Sequence, residues 1–244
     1  MTTFTQVLIN PGKYEGRKLL LNPQAMHARV LRFFPPDMES KKGERVLWRI
    51  DSQEHRHILY IVAPETPDTG GFVEQAGWET RPAQSADYQP LLDKLRVGQE
   101  WRFRLRANPA HRVASAVQGQ RGKVLPHVTV TQQIAWLCAQ GKKHGFLIPN
   151  FGTNDEIQDL QQVKEGIPTV AVTERGDRIF DHYNKNRLGK EQITLRQAQF
   201  DGALRIENVD LFRHALVSGI GRGKAYGCGL LTLAPVFSSD KNRE

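Results

Sequence analysis

The chain has 244 residues, 39% of them hydrophobic and 25% charged, with 34 Lys and Arg against 26 Asp and Glu for a formal net charge of +8. That length suits one large domain or two small ones, and the composition excludes a fibrous or disordered chain. The positive balance favours a polyanionic partner, and no apolar run approaches the roughly 20 residues that cross a bilayer.

The opening MTTFTQVLINPGKYEG lacks the basic and apolar regions of a secretory signal, so the cytoplasm is the expected location. Residues 3–10 are a strand candidate, with Phe4, Val7 and Leu8 supplying apolar weight. Asn22-Pro23 pairs a capping residue with proline at the first helical position. The helix is expected to reach Phe34, where Pro35-Pro36 ends it. Residues 46–50 and 57–62 form a predicted hairpin turning within residues 51–56. Residues 64–71 are predicted as a loop and 88–95 as a short helix. From 98 to 107 the alternation is clear, with Trp101, Phe103, Leu105 and Ala107 on one face and Arg102, Arg104 and Arg106 on the other. The order β-α-β-β-α-β is the ferredoxin-like pattern.

Asn108-Pro109 is taken as a boundary, giving domains of residues 1–107 and 110–237 and a tail of 238–244. Residues 113–117 and 123–128 bracket a turn at Gly119 and Gly122. A helix over 131–143 places Ile134, Leu137 and Cys138 on one face. Residues 169–180 are expected to form a hairpin turning at Arg175-Gly176-Asp177, followed by a strand region over 193–206. Asn208 can cap a helix to about Ser218, with Val209, Phe212, Ala215 and Leu216 inward. Residues 230–234 close the pattern as an apolar strand. A second ferredoxin-like unit follows from this mixture, making the fold class α+β. Neither Cys138 nor Cys228 belongs to a CxxC pair, so both are read as buried free thiols rather than a zinc site or disulfide.

Two segments carry chemistry. GIGRGKAYGCGLL, from Gly219 to Leu231, sets Arg222 and Lys224 among five glycines. Exposed N–H groups beside cations cradle anions, and Gly221 and Gly223 would let a phosphate approach. A tight packing turn explains the same glycines equally well. A nucleotide-binding P-loop is excluded, because Ser218 and Ala225 stand where its first glycine and its hydroxyl belong. The element order is also reversed, so no nucleotide cofactor is expected. The second segment is the first helix, where Met26, Val30, Phe33 and Phe34 share the packing face and His27 falls at its edge. A histidine there can exchange protons near neutral pH, which suits RNA cleavage by the 2′-OH.

Five segments together resemble the CasE family, the CRISPR repeat-processing endoribonucleases of type I-E systems. They are QAMHARVLRFFP, FRLRANP, QIAWL, FDGALRI and GIGRGKAYGCGLLTLAP, in order across nearly the whole chain. The resemblance implies two tandem ferredoxin-like (RRM-like) domains. It implies recognition of the hairpin in CRISPR repeat RNA and metal-independent cleavage at the 3′ base of the stem. The products would be a 2′,3′-cyclic phosphate and a 5′-hydroxyl, with the mature crRNA kept by the enzyme as a subunit of Cascade beside the other subunits. No metal and no cofactor are implied.

The family's catalytic histidine maps to His27, with Leu31 and Phe34-Pro35 completing its pattern. Gln24 stands where the family often has tyrosine, and an amide can hydrogen-bond but not ionise. A family lysine from the loop before the FDG strand points to NKNRLGK, with Lys190 preferred over Lys185 and Arg187. Electrostatic stabilisation of the phosphorane is its expected role. Arg187, Lys185, Arg222 and Lys224 are then the expected phosphate contacts. Arg102, Arg104 and Arg106 form a basic face that is available to RNA or, alternatively, is carried to solvent or a partner subunit, and the aromatic pair of an RRM is not evident in either half. Two other readings stand beside this one. The Gln24 departure favours a non-catalytic RNA-hairpin-binding subunit, and a metal-dependent nuclease lacks residues with ligand-like spacing.

Overall fold

A computed structural model describes residues 2–36, 45–114, 122–151, 167–184 and 189–236. The chain begins with β1 (Thr3–Ile9), α1 (Tyr14–Leu21) and α2 (Pro23–Leu31). It continues through β2 (Leu47–Gln53), β3 (Arg56–Ala63), α3 (Gly70–Ala76), β4 (Gln84–Asp87) and α4 (Gln89–Lys94). The four strands form an antiparallel sheet in the order β2-β3-β1-β4, the ferredoxin-like arrangement. Along β1 the inward residues are Thr3, Thr5, Val7 and Ile9, so Phe4 and Leu8 turn to the opposite face. The two buried hydroxyls are satisfied: Thr3 donates to the Glu65 carbonyl at 2.8 Å and Thr5 pairs with Ser85 at 2.8 Å. Met26, Val30, Phe33, Leu59, Ile61 and Phe72 fill the core beneath the helices.

The second sheet is built from β5 (Glu100–Ala107), β11 (Val170–Asn184), β12 (Gly189–Ile206) and β13 (Leu231–Pro235), in the order β11-β12-β5-β13. A ribbon of β6 (Ala110–Arg112) and β7 (Val124–Pro126) precedes α5 (Val130–His144). Short strands β8 (Phe146–Leu147), β9 (Asn150–Phe151) and β10 (Ile167–Pro168) follow, and α6 (Val209–Ser218) leads to β13. Asn208 starts α6 as expected, accepting from the Leu211 N–H at 3.0 Å, and α5 starts at a reciprocal capping box of Thr129 with Gln132. No described helix is long and apolar enough to cross a membrane.

Two expectations are corrected by strand pairing. The alternating strand ending at Ala107 does not close the first sheet; β5 pairs with β12 and β13 at the centre of the second. The first sheet closes instead with β4, whose four residues are all exposed and carry no apolar alternation to mark it. Arg175-Gly176-Asp177 is not a turn either. It lies within β11, where Asp177 sits opposite Arg196 and their side chains pair at 2.7 Å. Cross-strand pairing there outweighs the local turn tendency of the tripeptide. The residues joining β11 to β12, Lys185 and Arg187 among them, fall outside the described residues, as does the tail.

The two sheets are joined by a common core in which Leu47, Val62, Leu92 and Leu95 meet Phe103, Leu105, Phe200 and Leu230. Arg49 of β2 crosses this joint with only 1% of its surface exposed. Its Nε donates to Asp51 at 2.7 Å, and Nη2 donates to Asp51 at 3.0 Å and to the Thr232 hydroxyl at 2.8 Å. Nη1 donates to the Arg104 carbonyl at 2.9 Å and the Leu230 carbonyl at 2.8 Å. All five guanidinium donors are therefore used, the condition under which a buried cation is tolerated.

Candidate nucleic-acid interface

Helix α2 is positioned by its cap. The Asn22 side-chain oxygen accepts from the backbone N–H groups of Gln24 at 3.0 Å and Ala25 at 3.1 Å, and Pro23 occupies the first turn. Met26 and Val30 are buried against the first sheet, which leaves His27 half-buried at the rim, with Gln24 half-buried one turn before it. The Trp48 indole Nε1–H donates to His27 Nδ1 at 3.4 Å. Sequence reasoning missed Trp48, because its proximity to His27 depends on how β2 lies beneath α2.

The glycine segment follows α6 and turns back along α2, with a 3₁₀ turn over Lys224–Tyr226 packed against that helix. Its glycines are required by close approach as well as by positive φ. At Gly219 (φ 75°) a Cβ would stand 2.8 Å from Leu47 Cδ2, and at Gly227 (φ 77°) it would stand 2.8 Å from Trp48 Cζ3. Several N–H groups of the segment are used internally: Ile220 donates to the Gly229 carbonyl, Tyr226 to Gly223 and Gly229 to Arg106. Packing thus accounts for much of the glycine pattern.

The cations divide by what they touch. Lys224 is half-buried and its ammonium donates to the Ser218 carbonyl at 2.7 Å, closing the C-terminal end of α6. Burial, with the nearby charge of Arg45, holds its pKa below the usual lysine value. Arg222 is exposed, its backbone bridged to Asn108, at the edge of a depression of about 370 Å³ that also takes in Arg196 and Tyr226. Gly221 and Gly223 flank it, both with positive φ. Lys190 lies in β12, in register with Tyr183 of β11.

The arginine face of β5 is mostly paired within the protein. Arg104 Nε donates to Asp201 at 2.6 Å, and Arg106 Nη2 donates to Glu174 at 2.6 Å and Gln199 at 3.0 Å. Of the three, Arg102 alone is exposed. Beside α2, Arg106 and the exposed Arg178 line a pocket of about 190 Å³ together with Pro23, Trp48, His57 and Tyr226. Burial lowers the Arg106 pKa, and the like charge of Arg178 adds to that against the opposing pull of Glu174 and Asp51. The register of β11 puts Arg178 there, and no local pattern marks it.

An aromatic pair does occur on the inner strands of the first sheet, contrary to expectation. Phe4 and Tyr60 have ring centroids 5.7 Å apart. Both are already engaged, Phe4 stacked on Tyr88 at 5.6 Å and Tyr60 beneath the Arg49 guanidinium at 5.7 Å. Among the described residues, no three His, Cys, Asp or Glu side chains gather as a metal-holding group. Both cysteines are free thiols, and burial pushes the Cys228 thiol up to about 12.

Known proteins place this arrangement in context. The CRISPR-associated endoribonuclease Cse3 of Thermus thermophilus is 28% identical over 234 residues, covering 95% of this chain and 99% of that protein. The Cascade subunit CasE of Escherichia coli K12 is 29% identical over 149 residues, 59% of this chain and 62% of CasE. A structure of Cse3 bound to a 19-nucleotide RNA superposes with a TM-score of 0.73 at 26% identity, covering 96% of this chain and 99% of that one. The family model for the CRISPR associated protein spans residues 4–235, nearly all of the two sheets and their helices, and the chain belongs to that family.

Proposed function

We propose that this protein is an endoribonuclease that binds the hairpin of CRISPR repeat RNA and cuts the precursor at the 3′ base of the stem. It then keeps the guide RNA as a subunit of Cascade in the cytoplasm. The observation that carries the reading is His27, held at the rim of α2 by Trp48 and flanked by the glycine turn. The Cse3 relative, named an endoribonuclease and solved with RNA bound, supports the same assignment.

The chemistry needs no metal. The 2′-OH loses its proton and its oxygen attacks the neighbouring phosphorus. The P–O5′ bond breaks as the leaving oxygen takes a proton, giving a 2′,3′-cyclic phosphate and a 5′-hydroxyl. His27 acts on the reacting atoms, and Lys190 supplies positive charge to the phosphorane. Lys185, Arg187 and Arg222, with the backbone at Gly221 and Gly223, contact phosphates along the stem. Lys224 keeps two further N–H donors beyond its bond to Ser218 and adds to this set.

The test is cleavage of the cognate repeat hairpin in EDTA. Product is expected without added metal, and a 2′-deoxy nucleotide at the cut site should abolish it. His27→Ala should lower the cleavage rate by about 10²- to 10⁴-fold and leave RNA affinity nearly unchanged. Wild-type rates in that variant, or a strict requirement for Mg²⁺, would refute the mechanism. Gln24 favours a second reading, a hairpin-binding subunit without catalysis, and tight binding with no product under any condition would establish it.

A further inference from the structure

We infer that Trp48 is a positioning residue for His27: its indole N–H holds Nδ1 as an acceptor, so the ring proton sits on Nε2 and His27 meets RNA as a hydrogen-bond donor. The inference rests on the proposed catalytic role of His27.

Trp48 is 3% exposed, so its Nε1–H has lost water and needs an acceptor within the protein. That acceptor is His27 Nδ1 at 3.4 Å. A ring nitrogen that accepts a hydrogen bond carries no proton, and the proton of a neutral imidazole then lies on the other nitrogen. Turning Nε2 into a proton acceptor would move the proton to Nδ1 and set two N–H groups against each other.

The indole has little room to move aside. Its backbone is locked in β2, where Trp48 pairs with Ile61 of β3. Its six-membered ring lies against Gly227, where even a Cβ would come within 2.8 Å of Cζ3. The order is therefore glycine turn, indole, imidazole, and the glycine segment reaches the chemistry through Trp48. In this arrangement neutral His27 gives a hydrogen bond from Nε2 to the oxygen on which charge gathers as the P–O5′ bond breaks, and it keeps its proton, since losing it would leave an imidazolate. The proton released by the 2′-OH passes to water, and water protonates O5′.

The experiment uses the full chain labelled with ¹⁵N-histidine, with the His27 signals assigned through His27→Gln. Wild type is compared with Trp48→Phe and with protein carrying 3-benzothienylalanine at position 48. That residue keeps the indole shape and removes only the N–H, so it separates the hydrogen bond from packing. The expected result is an Nδ1 resonance displaced by the hydrogen bond in wild type and returned to the unbonded position in both replacements. Single-turnover cleavage should fall about tenfold or more, with RNA affinity within about twofold of wild type. An Nδ1 resonance unchanged by the benzothienyl residue, or a cleavage rate within about twofold of wild type, overturns the inference. Full cleavage by His27→Gln would instead remove the catalytic reading, while the resonance comparison still decides the Trp48 bond.

Discussion

A guanidinium that is 1% exposed and uses all five donors gives Arg49 a defined mutational cost. Arg49→Met should lower stability by about 3–5 kcal/mol, because it leaves two buried carbonyls bare and Asp51 short of its main cation. Urea unfolding followed by circular dichroism checks this. The thiols supply a second expectation at the same scale. Cys228 is fully buried with its thiol pushed up to about 12, whereas Cys138 is half-buried. A thiol reagent at neutral pH should therefore modify Cys138 well before Cys228, with both reacting together only in denaturant. Neither environment is visible locally: Cys138 follows an apolar helical pattern, and nothing around Cys228 except its glycines hints that Gln197 donates to its sulfur at 3.3 Å.

The glycine segment and the β5–β12 pair matter as elements. Gly227→Ala would force a left-handed φ on an L-residue and push a methyl into the indole ring, so a loss of about 2 kcal/mol or more is expected in thermal unfolding. Where β5 meets β12, burial raises the Asp201 pKa, but hydrogen bonds from Arg104, Thr173 and Gln199 outweigh it and hold the carboxyl below the usual aspartate value. The folded pKa lies below the unfolded one. The stabilisation is thus complete above the ordinary aspartate range near 4 and drains away as pH falls through the folded value. Asp201→Asn should flatten the stability profile in that acidic window, measured by unfolding across pH. The alternation of β5 was plain in the sequence, as were both asparagine caps. Its sheet was not, because periodicity marks a strand and its faces but says nothing about its neighbours.

Across the whole molecule 34 Lys and Arg leave a formal net charge of +8, and several of these cations are committed internally. Arg49, Arg104, Arg106 and Arg196 are paired with carboxylates, and Lys224 is bonded to a helix end. The cations left for RNA are therefore fewer than the composition suggests. Binding should weaken with salt with a slope of about −0.7 to −0.9 per phosphate contact. Arg222→Ala should reduce the apparent number of contacts by about one and leave cleavage of bound RNA nearly unchanged. Titrations of the repeat hairpin at several salt concentrations check both.

The sequence by itself determined the elements whose signals are local. Apolar periodicity marked most strands and helices, Asn22 and Asn208 marked helix starts, and the reversed order around Gly223 excluded a nucleotide loop. The motif set also placed His27 on its helix. Only the tertiary structure decided which sheet took β5, that Arg175-Gly176-Asp177 runs straight through a strand, and that Arg49 sits satisfied at the joint. It also set Trp48 against His27 and turned Lys224 toward Ser218. The physical reason is range. Helical and strand periods and caps act over a few residues, whereas Trp48 bonds a residue 21 positions away and Arg49 one 181 positions away, and no local pattern encodes a distant acceptor.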